Sequence, residues 1–335
     1  MFEKLHAFAD MGRTQGITVS ASVAIVGALT STAQVNLYHL LYFTIILAFG
    51  HLSLNIYIAL GDLKKDSLTY VPSRNPVYSG ILTKKEAENF VKISIIIMTI
   101  MVLSLFYVID FNSALLSLLC FIPAYAWLMW YGWHGKKYIF SYDFSFSVGY
   151  IFTVLFGVFA VSGNPTIYTW IFIGVVILAA SAFAQWENGL KDVDSDRADE
   201  VKSFAVITGI KNNQRLHFTH PFYLYGVLLK VLFIIFCFTA YWQFNNIYYL
   251  LFILVYGIPS QIFIMYRFLV KKKPIDHRKT ILLDVALSGI LAYSTIIGKT
   301  GILWFLFLAL YLIIGYLIGS FFQSKSEFKF GRFSK

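Results

Sequence analysis

Cysteine is nearly missing from this chain of 335 residues: only Cys120 and Cys237 occur, and both lie inside apolar segments. That leaves little support for a structural disulfide or a thiolate metal site. Charge is scarce too. Asp, Glu, Lys and Arg make up 13% of the residues against 58% hydrophobic, far more apolar than a soluble domain. No low-complexity region is present. The largest polar stretches are 62–90, 188–219 and 271–279, so any chemistry must be assembled from short loops. Among the charged residues the acids are the fewer, 17 against 27 Lys and Arg, for a net charge of +10.

What is abundant is apolar sequence in lengths that cross a bilayer, which takes roughly 20 residues. Ten such segments can be read, at about 17–35, 38–61, 91–110, 113–132, 144–162, 167–187, 221–243, 247–270, 280–298 and 302–322. Several are joined by tight turns, which implies antiparallel neighbours. Basic residues collect in the loops after even-numbered segments. These are Lys64, Lys65, Arg74, Lys84 and Lys85, then Lys136 and Lys137, then Lys191, Arg197, Lys202, Lys211 and Arg215, then Arg267 to Lys279. The loops after odd-numbered segments carry almost none, Lys299 being the exception. The positive-inside rule therefore puts both termini and every basic loop in the cytoplasm. Most of the positive surplus is a topology signal and needs no nucleic acid partner. Residues 1–16, with Lys4, Asp10 and Arg13, read as a cytosolic leader and not as a cleaved signal peptide. The expected fold is an all-α integral membrane protein, a multi-helix transmembrane bundle of nine or ten spans around a central cavity open to the cytoplasmic side.

The few acids are concentrated at two addresses. Asp62 and Asp66 close the second segment; Asn188, Asp192 and Asp196 close the sixth. Steps of four place these groups on one helix face, one turn apart. His51 and Asn55 extend the first stripe into the membrane, and Gln185 extends the second. A single carboxylate at a helix end is ordinarily just solvated, and a lone interior histidine such as His51 is more often simply hydrogen-bonded. Two matched clusters are another matter, because facing carboxylates repel unless cations lie between them. Mg²⁺ takes few carboxylates, retained waters and phosphate oxygens, so the pair suits a metal-bridged diphosphate. Arg74, Lys84, Lys136, Lys137, Arg197 and Lys202 occupy the same layer and can take charge developing on a leaving diphosphate. His217 and His220 have a metal-like spacing but no third ligand. Lys230 and Asp284 sit inside apolar segments, where charge is costly; they either pair with each other or Lys230 reaches an interface.

Asn188-x-x-x-Asp192-x-x-x-Asp196, with Val201-Lys202-Ser203-Phe204-Ala205-Val206 and Gly209 after it, resembles the second aspartate-rich motif of the UbiA superfamily of intramembrane prenyltransferases. The first cluster, followed by Pro76-x-x-Ser79-Gly80, is similar to that family's first motif and its trailing element. The resemblance covers roughly residues 15–300. Two positions depart from the pattern: Ile58 stands where the family has Asn, with Asn55 one turn earlier, and Gly189 stands where an Asp often follows the Asn. The family usually has nine spans, so a tenth is a C-terminal extension.

The resemblance implies one membrane-embedded unit over 1–335, with a leader at 1–16, motif loops at 62–90 and 188–219, and an extra span with a basic tail at 300–335. It implies Mg²⁺ as cofactor, held by Asp62, Asp66, Asp192 and Asp196, and an isoprenyl diphosphate bound through Asn188, Arg74, Lys84, Arg197 and Lys202. Lys136 or Lys137, after Tyr131, falls where the family has a basic residue near the diphosphate. The reaction is ionisation to an allylic cation that a lipophilic or aromatic acceptor captures, with membrane lipids around the enzyme. His51, Asn55 and Tyr131 are candidate cavity residues. Such chemistry needs a dry cavity with aromatic faces, and 19% of the chain is aromatic. A terpene cyclase using the same diphosphate site is an alternative. A cation-coupled membrane transporter is another, although both acidic clusters lie on one side and leave no path across.

Overall fold

Each apolar run becomes a helix. The structure, a computed structural model, describes residues 2–66, 75–135, 138, 141–183, 189–191, 193–198, 201–212, 216–270 and 274–330, with backbone alone at 62, 64–66, 141–143, 191, 195, 198, 212, 269, 274–279, 320 and 322–330. A short helix α1 (Phe2–Met11) and a 3₁₀ turn (Thr14–Gly16) lead into α2 (Ile17–Thr30), α3 (Leu37–Asp66), α4 (Lys84–Val108), α5 (Phe111–Trp133), α6 (Ser141–Phe159) and α7 (Ile167–Ser181). After a polar stretch come α11 (His220–Phe244), then α12 (Ile247–Phe252) continuing through a π turn (Ile253–Gly257) into α13 (Ile258–Val270), α14 (Pro274–Ser294), a single turn α15 (Ile297–Thr300) and α16 (Ile302–Phe330). Of the described residues 84% are helical.

Among the described residues six stretches are long and apolar enough to cross a membrane: Leu37–Gly61, Lys84–Val108, Phe111–Trp133, His220–Phe244, Ile247–Phe268 and Ile302–Gly319. Thr14–Thr30, Phe144–Phe159, Ile167–Ser181 and Thr280–Ser294 are shorter apolar helices. The difference reflects position. Every residue of α2 from Ala21 to Thr30 is buried, because α3, α6, α7 and α16 all pack on it. A helix apolar all round belongs inside protein. α4, α5 and α16 instead turn rows such as Ile93, Ile96, Ile100 and Leu103 outward, as lipid-facing helices do. Pairwise packing runs α3–α4–α5–α6–α7–α11–α13–α14–α16, and α1 closes the circuit by touching both α16 and α3.

Local chemistry sets the helix ends. Thr83 and Glu86 form a capping box that starts α4 in polar sequence, ahead of its apolar run; the Glu86 carboxylate accepts the Thr83 N–H at 2.8 Å. Asp110 accepts the Ser113 N–H at 2.9 Å and starts α5, and that bond holds its carboxyl below the usual carboxylate range. Asn245, at φ +48, ends α11, and the Asn246 side chain starts α12 by accepting the Tyr248 N–H at 2.8 Å. The stretch expected as a leader folds as α1 and the 3₁₀ turn; Ala7 and Met11 of α1 are buried beside residues of α3 and α4 while Phe2 and Leu5 stay exposed. Thr83→Ala is expected to lower stability by about 1 kcal/mol, which denaturant unfolding in micelles measures.

The stretch expected as a loop at 188–219 has structure of its own. It folds as the turn-length helices α8 (Gly189–Lys191), α9 (Val193–Ala198) and α10 (Phe204–Ile207), then a hairpin of β1 (Lys211–Asn212) and β2 (Leu216–His217), paired Lys211↔His217 and Asn212↔Leu216. The loop expected at 62–90 is shorter, because α3 persists to Asp66 and α4 begins at Lys84.

Candidate functional site

The last turns of α3 carry the positions of Asp62 and Asp66. The helix is unbroken to Asp66, so the two positions stay one turn apart on one face. Trp133, ending α5, stacks on Tyr57 with ring centroids 5.1 Å apart, donates its indole N–H to the Tyr57 carbonyl at 3.3 Å, and lies against Gly61. Ile58 fits over Gly132: a Cβ there would lie 2.7 Å from Cγ1 of Ile58. Asn75 is a residue the sequence reading passed over. It is buried, donates to the Ala59 carbonyl at 3.1 Å and accepts the Val77 N–H at 3.1 Å, so it ties the chain after the first motif back onto α3. Its signal in the sequence was the Asn-Pro turn. Gly80, at φ +76, then turns the chain so that Leu82 is buried beside Ile56 and Leu60.

The second acidic segment rests on an apolar seat. Leu190, Val193, Ala205, Ile210 and Leu216 are buried against Phe222 of α11, Ile264 and Phe268 of α13 and Ile281 of α14. Arg197 donates to the Ile210 carbonyl, which stitches α9 to the turn after α10. Asp196 is half-buried and its carbonyl accepts the Val201 N–H at 2.8 Å. At Gly189 an added Cβ would touch Ala205 at 3.4 Å, so this position faces α10. Gly209, at φ +79, closes α10, with the Ile210 N–H on the Ala205 carbonyl at 3.0 Å and the Gly209 N–H on the Val206 carbonyl at 3.1 Å. Gly209→Val is expected to cost about 1–2 kcal/mol through strain at that φ, seen as faster amide exchange over 204–217.

The ends of α3, α5 and α7 and the start of α6 meet on one face of the bundle. From Gly61 contact passes to Trp133; along α5, Tyr131 meets Phe146 of α6 edge-on at 6.1 Å; Ser147 lies 3.4 Å from Ser181, the last residue of α7. At the opposite face Thr166 of the turn before α7 donates to the Thr30 carbonyl ending α2 at 2.6 Å. A shallow apolar hollow of about 350 Å³, lined by Val35, Leu37, Leu303 and Trp304, also lies at that opposite face and has no carboxylate near it.

The remaining candidates divide. His51 is bound on both ring nitrogens: the Arg13 carbonyl at 3.0 Å can only accept, so Nε2 carries the proton and Nδ1 accepts from the Ser20 hydroxyl at 2.8 Å. The ring lies on Gly16, and Asn55 donates to the His51 carbonyl at 2.8 Å. These two therefore hold the entry to α2. Lys84, the first residue of α4, is exposed and 3.7 Å from Glu88; Lys202 is exposed. Arg74, Lys136, Lys137, Asn188 and Asp192 lie outside the described residues, as do the side chains of Asp62 and Asp66. Among the described residues no three His, Cys, Asp or Glu come together. The donor set expected from the sequence, four carboxylates and an amide, consists of hard oxygen ligands of the kind Mg²⁺ takes.

The model of the UbiA prenyltransferase family matches residues 19–282. No curated protein matches the sequence. Among solved structures the chain is similar to a UbiA homologue from Aeropyrum pernix K1, with TM-score 0.65 and 16% identity over 84% of this chain and 96% of that one. It is similar to a UbiA homologue from Archaeoglobus fulgidus bound to DMAPP and Mg²⁺, with TM-score 0.62 and 13% identity over 88% and 99%. A third, described as digeranylgeranylglyceryl phosphate synthase in membranes, gives TM-score 0.61 and 20% identity over 90% and 100%.

Proposed function

Because this chain belongs to the UbiA prenyltransferase family, we propose that it transfers an isoprenyl group from an isoprenyl diphosphate to a lipophilic or aromatic acceptor. The observation that supports the reading is the placement of α3 and α7: they end on the same face of the bundle, with the end of α5 and the start of α6 between them, and the two acidic segments lie at or just beyond those ends in the sequence. Two carboxylate pairs on one face suit a clamp for one anion and do not suit a conduit. The basic loops on that face support a cytoplasmic opening.

Asp62, Asp66, Asp192 and Asp196 would hold Mg²⁺, and the bound ion would neutralise the diphosphate so that it departs readily. Relatives of this fold are bound to DMAPP and Mg²⁺ and to GPP and Mg²⁺. Asn188, Arg74, Lys84, Lys202, Lys136 and Lys137 are the groups whose chemistry would suit the diphosphate oxygens. Arg197, with a nitrogen committed to Ile210, is assigned to loop order as much as to the diphosphate. The allylic C–O bond breaks with its electron pair going to the diphosphate oxygen. The acceptor's electron pair then forms the new C–C or C–O bond and the acceptor loses a proton. Tyr131 on Phe146 supplies aromatic edges and faces near the acidic ends.

Purified protein with Mg²⁺ and geranylgeranyl or farnesyl diphosphate tests this directly. Diphosphate release that needs an added acceptor and stops with EDTA is the expected result. Release with no acceptor, giving a cyclic hydrocarbon or alcohol, assigns the chain as a cyclase. No release under any acceptor, with cation flux in vesicles, overturns the reading.

A further inference from the structure

Below the seat of the second acidic segment lies a buried polar network that no step above uses. Lys230 of α11 pairs with Asp284 of α14, each only 3% exposed. The other Asp284 oxygen accepts the Ser288 hydroxyl at 2.7 Å, and Gln261 of α13 donates its amide to the Ser288 hydroxyl oxygen at 3.1 Å. Tyr256, in the π turn that precedes α13, donates to the Leu287 carbonyl at 3.1 Å. Three helices are thus joined through directional bonds at one level. A charged pair inside apolar helices is costly, and its best-attested gain is one fixed arrangement of the elements it joins. A π turn within a helix is itself frequent near functional sites.

The same three helices form the seat. Gln261 lies one turn from Ile264, Asp284 one turn from Ile281, and Lys230 about two turns from Phe222. Those apolar residues grip Leu190, Val193, Ala205, Ile210 and Leu216, the buried residues of the segment that carries Asp192 and Asp196.

We propose that the Lys230–Asp284–Ser288–Gln261 network is a positioning device for the second acidic segment, setting α11, α13 and α14 so that Asp192 and Asp196 stand in register with Asp62 and Asp66. The last clause rests on the function proposed above.

Full-length protein carrying Asp284→Asn, and the double variant Lys230→Met with Asp284→Leu, tests it. The double variant leaves no unpaired charge and so keeps the bundle folded. Two readouts are taken: amide exchange over residues 189–217, and the Mg²⁺ concentration giving half-maximal diphosphate release from geranylgeranyl diphosphate. Both variants are expected to raise half-saturating Mg²⁺ about tenfold and to speed exchange over 189–217 by a similar factor, with the rate at saturating Mg²⁺ within about threefold. Wild-type Mg²⁺ dependence in the folded double variant, or faster exchange confined to α11 and α14, overturns the proposal. If wild-type protein releases no diphosphate, the functional reading has failed by itself, and the exchange readout alone decides whether the network orders the segment.

Discussion

Asp62→Ala and Asp192→Ala are each expected to lower Mg²⁺-dependent diphosphate release by about 10²–10³-fold, the scale found when a group that stabilises a departing anion is removed. The physical reason is twofold. Each change deletes an oxygen donor for the cation, and it lowers the field that holds the cation against the diphosphate. The folded state loses nothing comparable, since removing one of several neighbouring carboxylates relieves repulsion. The melting temperature in micelles should stay within a few degrees of wild type. Asp194 supplies the control. It is exposed and off the four-residue stripe, so Asp194→Ala is expected to leave the rate within about twofold. Equal losses at Asp194 and Asp192 would mean that general acidity of the segment, and not the stripe, matters.

Gly157→Leu is expected to abolish stable folding. At the crossing of α2 and α6 the backbones touch: a Cβ at Gly157 would lie 2.0 Å from the carbonyl oxygen of Ala24, and one at Gly27 would lie 2.1 Å from that of Val154. Small residues permit such contact between membrane helices. The obstruction is backbone on both sides, and Ala24, Ala28, Val154 and Phe156 around it are fully buried, so neither helix can withdraw without opening the core. A cost above about 4 kcal/mol follows, read as loss of the monodisperse peak in size-exclusion chromatography and of cooperative melting. Gly50 provides the contrast, because an added Cβ there meets side chains and no backbone: Sδ of Met98 at 3.3 Å and the Tyr125 ring at 4.0 Å. Gly50→Ala should melt within a few degrees of wild type.

The helices were legible because hydropathy acts along the chain: all ten apolar segments correspond to helices. Boundaries were less legible where caps govern them, as at α4, which Thr83 and Glu86 start in polar sequence. The segment at 188–219 resisted reading because its buried residues follow no period; Leu190, Val193 and Ile210 are buried by α11, α13 and α14, far along the chain. Side-chain commitments were hidden for the same reason. His51 showed its register but not its partners Ser20 and Arg13, and Arg197 read as a free cation while its carbonyl partner stood at Ile210. Lys230 and Asp284 were easier, because two opposite charges in apolar helices have few alternatives to each other. The four-residue spacing of the acids is a feature of the sequence itself. That α3, α5 and α7 end, and α6 begins, on one face required the contacts between them.

The central claim is that both acidic segments grip one diphosphate through Mg²⁺. An experimental structure with Mg²⁺ and a non-ionising thiodiphosphate analogue of geranylgeranyl diphosphate tests it most directly. Metal density about 2.0–2.1 Å from carboxylate oxygens of both Asp62 or Asp66 and Asp192 or Asp196, with the diphosphate between them, is the predicted result. A diphosphate bound at one cluster alone, or away from both, would contradict the account.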